Sequence, residues 1–148
     1  MVRISAKAVI IRDEQLLVTV HRDDQGDYYL LPGGGQERFE PLHDTLRREC
    51  REEIAADIEV GELLFVRDYI GRNHEFAATD DAHQVEIMFA CRVPDDYVPQ
   101  SGAIPDPRQH GATWLPLATL ASARLYPAAL KPLLVARSKT PMYLGDVN

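Results

Sequence analysis

Residues 31–56 read Leu31-Pro-Gly-Gly-Gly-Gln-Glu-Arg-Phe-Glu40-Pro-Leu-His-Asp-Thr-Leu-Arg-Arg48-Glu49-Cys50-Arg51-Glu52-Glu53-Ile54-Ala55-Ala56, a glycine turn feeding an acid-rich segment of helical period. The spacing predicts a helix from about Pro41 to Ile54. Leu42, Leu46, Cys50 and Ile54 recur every four residues and form a buried seam, and Pro41 falls in the first turn, where a missing N–H is tolerated. Glu49, Glu52 and Glu53 stand at i, i+3 and i+4, which stacks three carboxylates on one face beside that seam. Arg47, Arg48 and Arg51 are expected to point mostly elsewhere. Like charges this close repel one another on a bare helix, and a bound divalent cation is the expected compensation. Hard cations such as Mg²⁺ take oxygen ligands, bind through a few carboxylates and keep substrate phosphates as partners. For an isolated Glu-Glu pair, a solvated, salt-bridged face is the commoner reading; the loop-and-helix pattern as a whole weighs against it here.

Outward from this segment, residues 3–12 read as a β-branched strand, Asp13–Gln15 as a turn and Leu16–Val20 as the hairpin partner. A polar loop at 23–27 and a short strand Tyr28–Leu31 lead to the glycines. Downstream, strands are expected across Ile58–Ile70, Gln84–Val93 and Ala112–Leu117, with polar loops at 71–82 and 94–109. Leu117–Ala121 and Tyr126–Arg137 suggest two helical pieces, the second limited by Pro127 and Pro132. The mixture predicts an α+β layered sandwich in one domain over 1–148, with 139–148 as a loosely ordered tail.

The chain has 148 residues, 45% hydrophobic and 26% charged, and a net charge of −7 without a basic block. That excludes the Lys/Arg footprint a nucleic acid duplex needs. A phosphorylated substrate would meet an acidic protein, and a metal layer between the two resolves the conflict. Cys50 and Cys91 read as small buried apolar residues rather than a disulfide. No signal-peptide pattern opens the chain and no apolar run approaches a membrane span, so a cytoplasmic location without membrane contact is expected.

Gly34, Glu40 and the block Arg48-Glu49-Cys50-Arg51-Glu52-Glu53 together resemble the box that defines the Nudix hydrolase family. The box departs at its end, where Ala55 stands for the usual glycine and Ala56 for a bulkier aliphatic. Glycine would enter the left-handed conformation there without strain, and Ala costs ~1 kcal/mol in it; the alternative is a helix that continues a residue or two toward Asp57. The resemblance implies an α/β/α Nudix sandwich with a mixed sheet and the hydrolysis of a diphosphate linkage. It implies Mg²⁺, with Mn²⁺ as a substitute, held by Glu49, Glu52 and Glu53 and by the Gly33 carbonyl. Glu52 or Glu53 would also orient or deprotonate the attacking water, and Glu40 with Arg48 would form a supporting ion pair.

Family members often recruit a further carboxylate from outside the box, here Glu86 or Asp106. Arg67, Tyr69, Arg72, His74 and His83 flank the 71–82 loop and are candidates for phosphate, ribose or base; Tyr28 and Tyr29 are candidates for base stacking. Some subfamilies carry a short second signature, and it is missing: Arg72 stands where one ADP-ribose group has proline, and His74 where one dinucleoside polyphosphate group has tyrosine. The leading expectation is a pyrophosphohydrolase of a small nucleoside diphosphate derivative resembling ADP-ribose. Alternatives are a nucleoside triphosphate pyrophosphohydrolase that clears the nucleotide pool, and a non-catalytic module that binds nucleotide sugars. Some members of the family pair as homodimers, so a dimer is also open.

Overall fold

The computed structural model describes residues 1–75 and 77–148; the expected loop at 71–82 therefore lies within the described residues except at position 76. The chain builds strands β1 (Arg3–Arg12), β2 (Gln15–Asp23), β3 (Gly26–Leu30) and β4 (Gly33–Gly35), then helix α1 (Leu42–Ile54). Strands β5 (Glu59–Ile70), β6 (His83–Arg92) and β7 (Gln109–Pro116) follow, then β8 (Leu125–Tyr126), helix α2 (Leu130–Val135) and β9 (Met142–Asp146). Strands run in the order β8-β3-β2-β1-β6-β5-β9, with β4 added to β1 and β7 to β2. Pairing is mixed: β1 runs antiparallel to β2 and parallel to β6.

Alternation along the central strand divides the core. Ala6, Ala8 and Ile10 pack with Leu46, Cys50 and Ile54 of the α1 seam and with Phe89 and Cys91. Val9, Leu16, Val18 and Met88 pack on the opposite side under Leu117, Leu120, Leu130 and Leu134. Each face of the sheet is thus covered by helical structure, which gives the α/β/α sandwich and keeps α1 against the strands that carry the cleft residues.

Several elements differ from expectation. The glycine turn is a short strand: Gly33, Gly34 and Gly35 pair with Lys7, Ala6 and Ser5, because without side chains the backbone lies flat against β1. Strand β7 begins at Gln109, three residues early, in a polar stretch that hides the strand pattern. The helical piece expected over 126–137 shrinks to Leu130–Val135, with Pro132 in its first turn, where no N–H is needed. Residues 139–148 are not a loose tail; Met142–Asp146 adds to β5 in parallel. Helix α1 does not run on toward Asp57. It ends at Ala55, left-handed at φ 52°, ψ 38°, whose N–H reaches the Arg51 carbonyl at 3.2 Å.

Candidate active site

A cleft of about 820 Å³ opens over the sheet where β4 meets α1. Gly33 and Gly34 line it from β4, which pairs with β1, and Glu49, Glu52 and Glu53 line it from α1. One wall brings Arg67 and Tyr69 from β5 and Gln84 and Glu86 from β6; the other brings His21, Tyr28 and Tyr126. These walls stand on opposite sides of β1 in the strand order.

The start of the box is held by one guanidinium. Arg48 donates from Nε and Nη2 to the two Glu40 carboxylate oxygens at 2.7 and 3.0 Å, and from Nη2 to the Gly35 carbonyl at 2.9 Å. Thr45 Oγ1 adds a bond to Glu40 at 2.8 Å. Two-pronged pairing of this kind fixes both partners; Arg48 holds the Glu40 carboxyl down to about 2. Contrary to expectation, Arg48 also faces the acids: its Nη1 bridges Glu49 (2.9 Å) and Glu52 (3.3 Å).

Glu49 lies against the glycine strand. A Cβ on Gly34 would meet the Glu49 carboxylate at 2.5 Å, so a side chain there would displace that carboxylate. Gly33 holds φ at +135°, and a side chain there would collide with the Ala6 carbonyl. Glu53 accepts the Gly33 N–H at 3.3 Å. Burial raises its carboxyl to about 7, against the opposing Lys7 ammonium and Gly33 N–H and with smaller contributions from Glu49 and Asp106. Lys7 Nζ donates to the Gly33 carbonyl at 3.2 Å.

Among the described residues no three of His, Cys, Asp and Glu converge as a ready cluster for a metal ion; Arg48 and Lys7 are the cations engaged with the central oxygens. The donor set nevertheless fits a hard divalent cation. Three carboxylates and a carbonyl line the same cleft, and oxygen donors of this kind are what a hard divalent cation takes.

The flanking candidates separate. Glu86 is buried and paired with Arg67 at 2.6 Å, so neither is solvated or free. Arg67 also donates to the Val147 carbonyl and lies over the Tyr69 ring. Tyr69 donates to Asp80 at 2.6 Å. Tyr28 lines the cleft, stacked with His21 at 5.3 Å, and Asp106 lines it from the 94–108 loop. His74, Arg72, His83 and Tyr29 are not part of the lining. His74 bonds Asp146 at 2.7 Å, Arg72 pairs with Asp81, His83 with Asp68, and Tyr29 packs on the core. The structure adds residues that sequence reasoning did not single out. Arg3 and Lys7 reach the cleft from alternate positions of β1, where the only signal is polar residues at 3, 5 and 7 in an apolar strand. Arg3 has no side-chain partner among the described residues.

Residues 1–135 match the NUDIX domain. The chain belongs to the Nudix family. Family membership makes it an enzyme of the pyrophosphohydrolase class; Nudix enzymes generally use divalent metals and act on small nucleotide substrates. Solved structures with this fold include the MutT NUDIX hydrolase from Burkholderia pseudomallei, at 23% identity and TM-score 0.67 over 88% of this chain and 95% of that one. An ADP-ribose pyrophosphatase from Streptococcus suis 89-1591 matches at 18% identity and TM-score 0.62 over 97% and 98%. A UDP-X diphosphatase matches at 18% and 0.67, over 99% and 68%. No curated protein sequence matches the chain significantly. Among the described residues no helix is long and apolar enough to cross a membrane.

Proposed function

We propose that this Nudix enzyme is Mg²⁺-dependent and cleaves the diphosphate linkage of a nucleoside diphosphate derivative with a substituent at each end, ADP-ribose-like in shape. One observation carries the reading. The acids line a cleft whose walls fall on opposite sides of β1 in the strand order: Arg67, Tyr69 and Gln84 on one flank, His21, Tyr28 and Tyr126 on the other. A diphosphate placed at the acids would have room for a group on both sides. An aromatic flank suits a base and a polar flank suits a sugar.

Glu49, Glu52, Glu53 and the Gly33 carbonyl would hold the divalent ion, which supplies charge neutralisation on the phosphate oxygens and activation of water. The Glu40–Arg48 pair fixes the loop on the helix so that the acids keep their places. Glu52 or Glu53 would also orient the attacking water or take its proton. Lys7 places positive charge at the same carbonyl and favours an anionic substrate.

A panel of ADP-ribose, other nucleoside diphosphate derivatives and nucleoside triphosphates, run with Mg²⁺, Mn²⁺ or EDTA and analysed for products, tests the reading. AMP plus ribose 5-phosphate, lost with EDTA, is the expected result. Nucleoside monophosphate plus pyrophosphate would replace it with triphosphate hydrolysis. Binding without turnover would support a non-catalytic module.

A further inference from the structure

The far end of α1 is closed by a segment that begins about 40 residues downstream. The last four carbonyls of a helix have no partner within it, and here each has one. The Glu52 carbonyl accepts the Ile104 N–H at 2.9 Å and the Glu53 carbonyl the Gly102 N–H at 2.7 Å. The Ile54 carbonyl accepts Tyr97 Oη–H at 2.7 Å. The same loop carries Ile104, Pro105, Asp106 and Arg108 to the cleft.

Gln109 joins these two duties. Its side chain is buried, and its Nε2 donates to the Glu53 carbonyl at 2.8 Å and to the Gly111 carbonyl at 3.3 Å. Its Oε1 accepts the Asp106 N–H at 3.3 Å, and its own N–H returns to the Asp106 carbonyl at 2.9 Å. Asp106 in turn accepts the Arg108 N–H at 3.0 Å. An amide is required. A carboxylate would keep the acceptor and lose the donor, and an ammonium would do the reverse.

We propose that Gln109 is a positioning residue for the hydrolytic reaction: its one amide locks the cleft-facing turn Asp106–Arg108 to the end of the helix that bears Glu53. The turn and the acids then move as one body, and the turn can meet the substrate at a fixed distance from them. The inference rests on the function proposed above and adds a residue to it.

A double-mutant cycle tests it, using whichever substrate of the panel the wild type turns over. Gln109→Met keeps length and bulk and removes both polar atoms. We expect KM to rise about tenfold with kcat changed much less, since Gly102 still caps Glu53; misplacement of about 1 Å is enough for such losses. In a background with both Asp106→Ala and Arg108→Ala the same substitution should raise KM less than about twofold, because the cleft-facing side chains of the turn it positions are gone. Amide hydrogen exchange at Asp106 should quicken in Gln109→Met. Tyr97→Phe, which removes a cap on the same helix end away from the cleft, should lower Tm and leave KM and that exchange unchanged. Gln109→Leu, which also removes both polar atoms, stands in should the Met variant not fold. Equal KM effects in both backgrounds, or a loss in Tm alone, would overturn the proposal. A wild type inert toward the whole panel would overturn it together with the proposed function, whereas an active wild type with an unaltered KM in Gln109→Met would overturn it alone.

Discussion

The two ends of helix α1 are held by different means. At its start, side chains of the box do the work: Arg48 grips Glu40 and the Gly35 carbonyl, and Thr45 adds a third bond to the carboxylate. At its end the donors are mostly backbone groups and one amide from a distant loop, Gly102, Ile104 and Gln109, with the Tyr97 hydroxyl beside them. The first end is held by charge inside one short segment. The second depends on the chain returning to the same place. A rigid array of carboxylates needs both, because a helix free at either end would let the acids drift.

The largest expected effect lies between the ends. Glu53→Gln should lower kcat by about 10²–10⁴-fold, as loss of a group that handles the proton does. Its metal-free Tm should equal or exceed that of the wild type, since the carboxylate it replaces resists ionisation where it sits. Steady-state kinetics and thermal melts on the same preparation check both. An active Glu53→Gln would detach the helix from the chemistry.

Breaking the first end comes next. Arg48→Met leaves Glu40, Glu49 and Glu52 without their shared cation and should cost about 3 kcal/mol in urea unfolding at neutral pH. The pH dependence sharpens this. Glu40 has its carboxyl depressed from 4.5 to about 2. Its stabilisation is therefore complete above the unfolded value and lost as pH falls through about 2. Wild-type stability should drop across that acid window, and the drop should flatten in Arg48→Met.

The second end is tested by Gly102→Ala. A Cβ there collides with the Glu52 carbonyl oxygen, and displacing the loop should cost about 2 kcal/mol. If both ends mattered equally to the acids, activity would fall by similar factors in the two variants at temperatures where each is folded.

Much of the first end was legible in the sequence. The four-residue seam named the buried face, and Leu46, Cys50 and Ile54 are fully buried. Glu40 and Arg48 pair as the family resemblance implied, although the reach of Arg48 to Glu49 and Glu52 was not foreseen. The second end was not legible. Gln109 meets Glu53 across 56 positions, and no local pattern encodes such a distance. Register was equally hidden: Arg67 and Glu86 sit directly opposite on β5 and β6, so a residue read as a substrate contact and one read as a further site carboxylate are a buried pair. The glycine strand was masked by glycine's usual role in turns, and β9 by a tail with weak alternation.

The smallest expected effect returns to the helix end. Ala55 is left-handed, and Ala55→Gly should stabilise the protein by about 1 kcal/mol, seen as a small rise in Tm. No gain would show that the surrounding contacts already absorb the strain.

Manganese titrated into isotope-labelled protein, followed by paramagnetic broadening of amide signals, tests the carboxylate face most directly. Broadening concentrated at Gly33–Gly35 and Glu49–Glu53, and abolished by excess EDTA, is the predicted result. Uniform or remote broadening that spares those residues would contradict a metal site on α1.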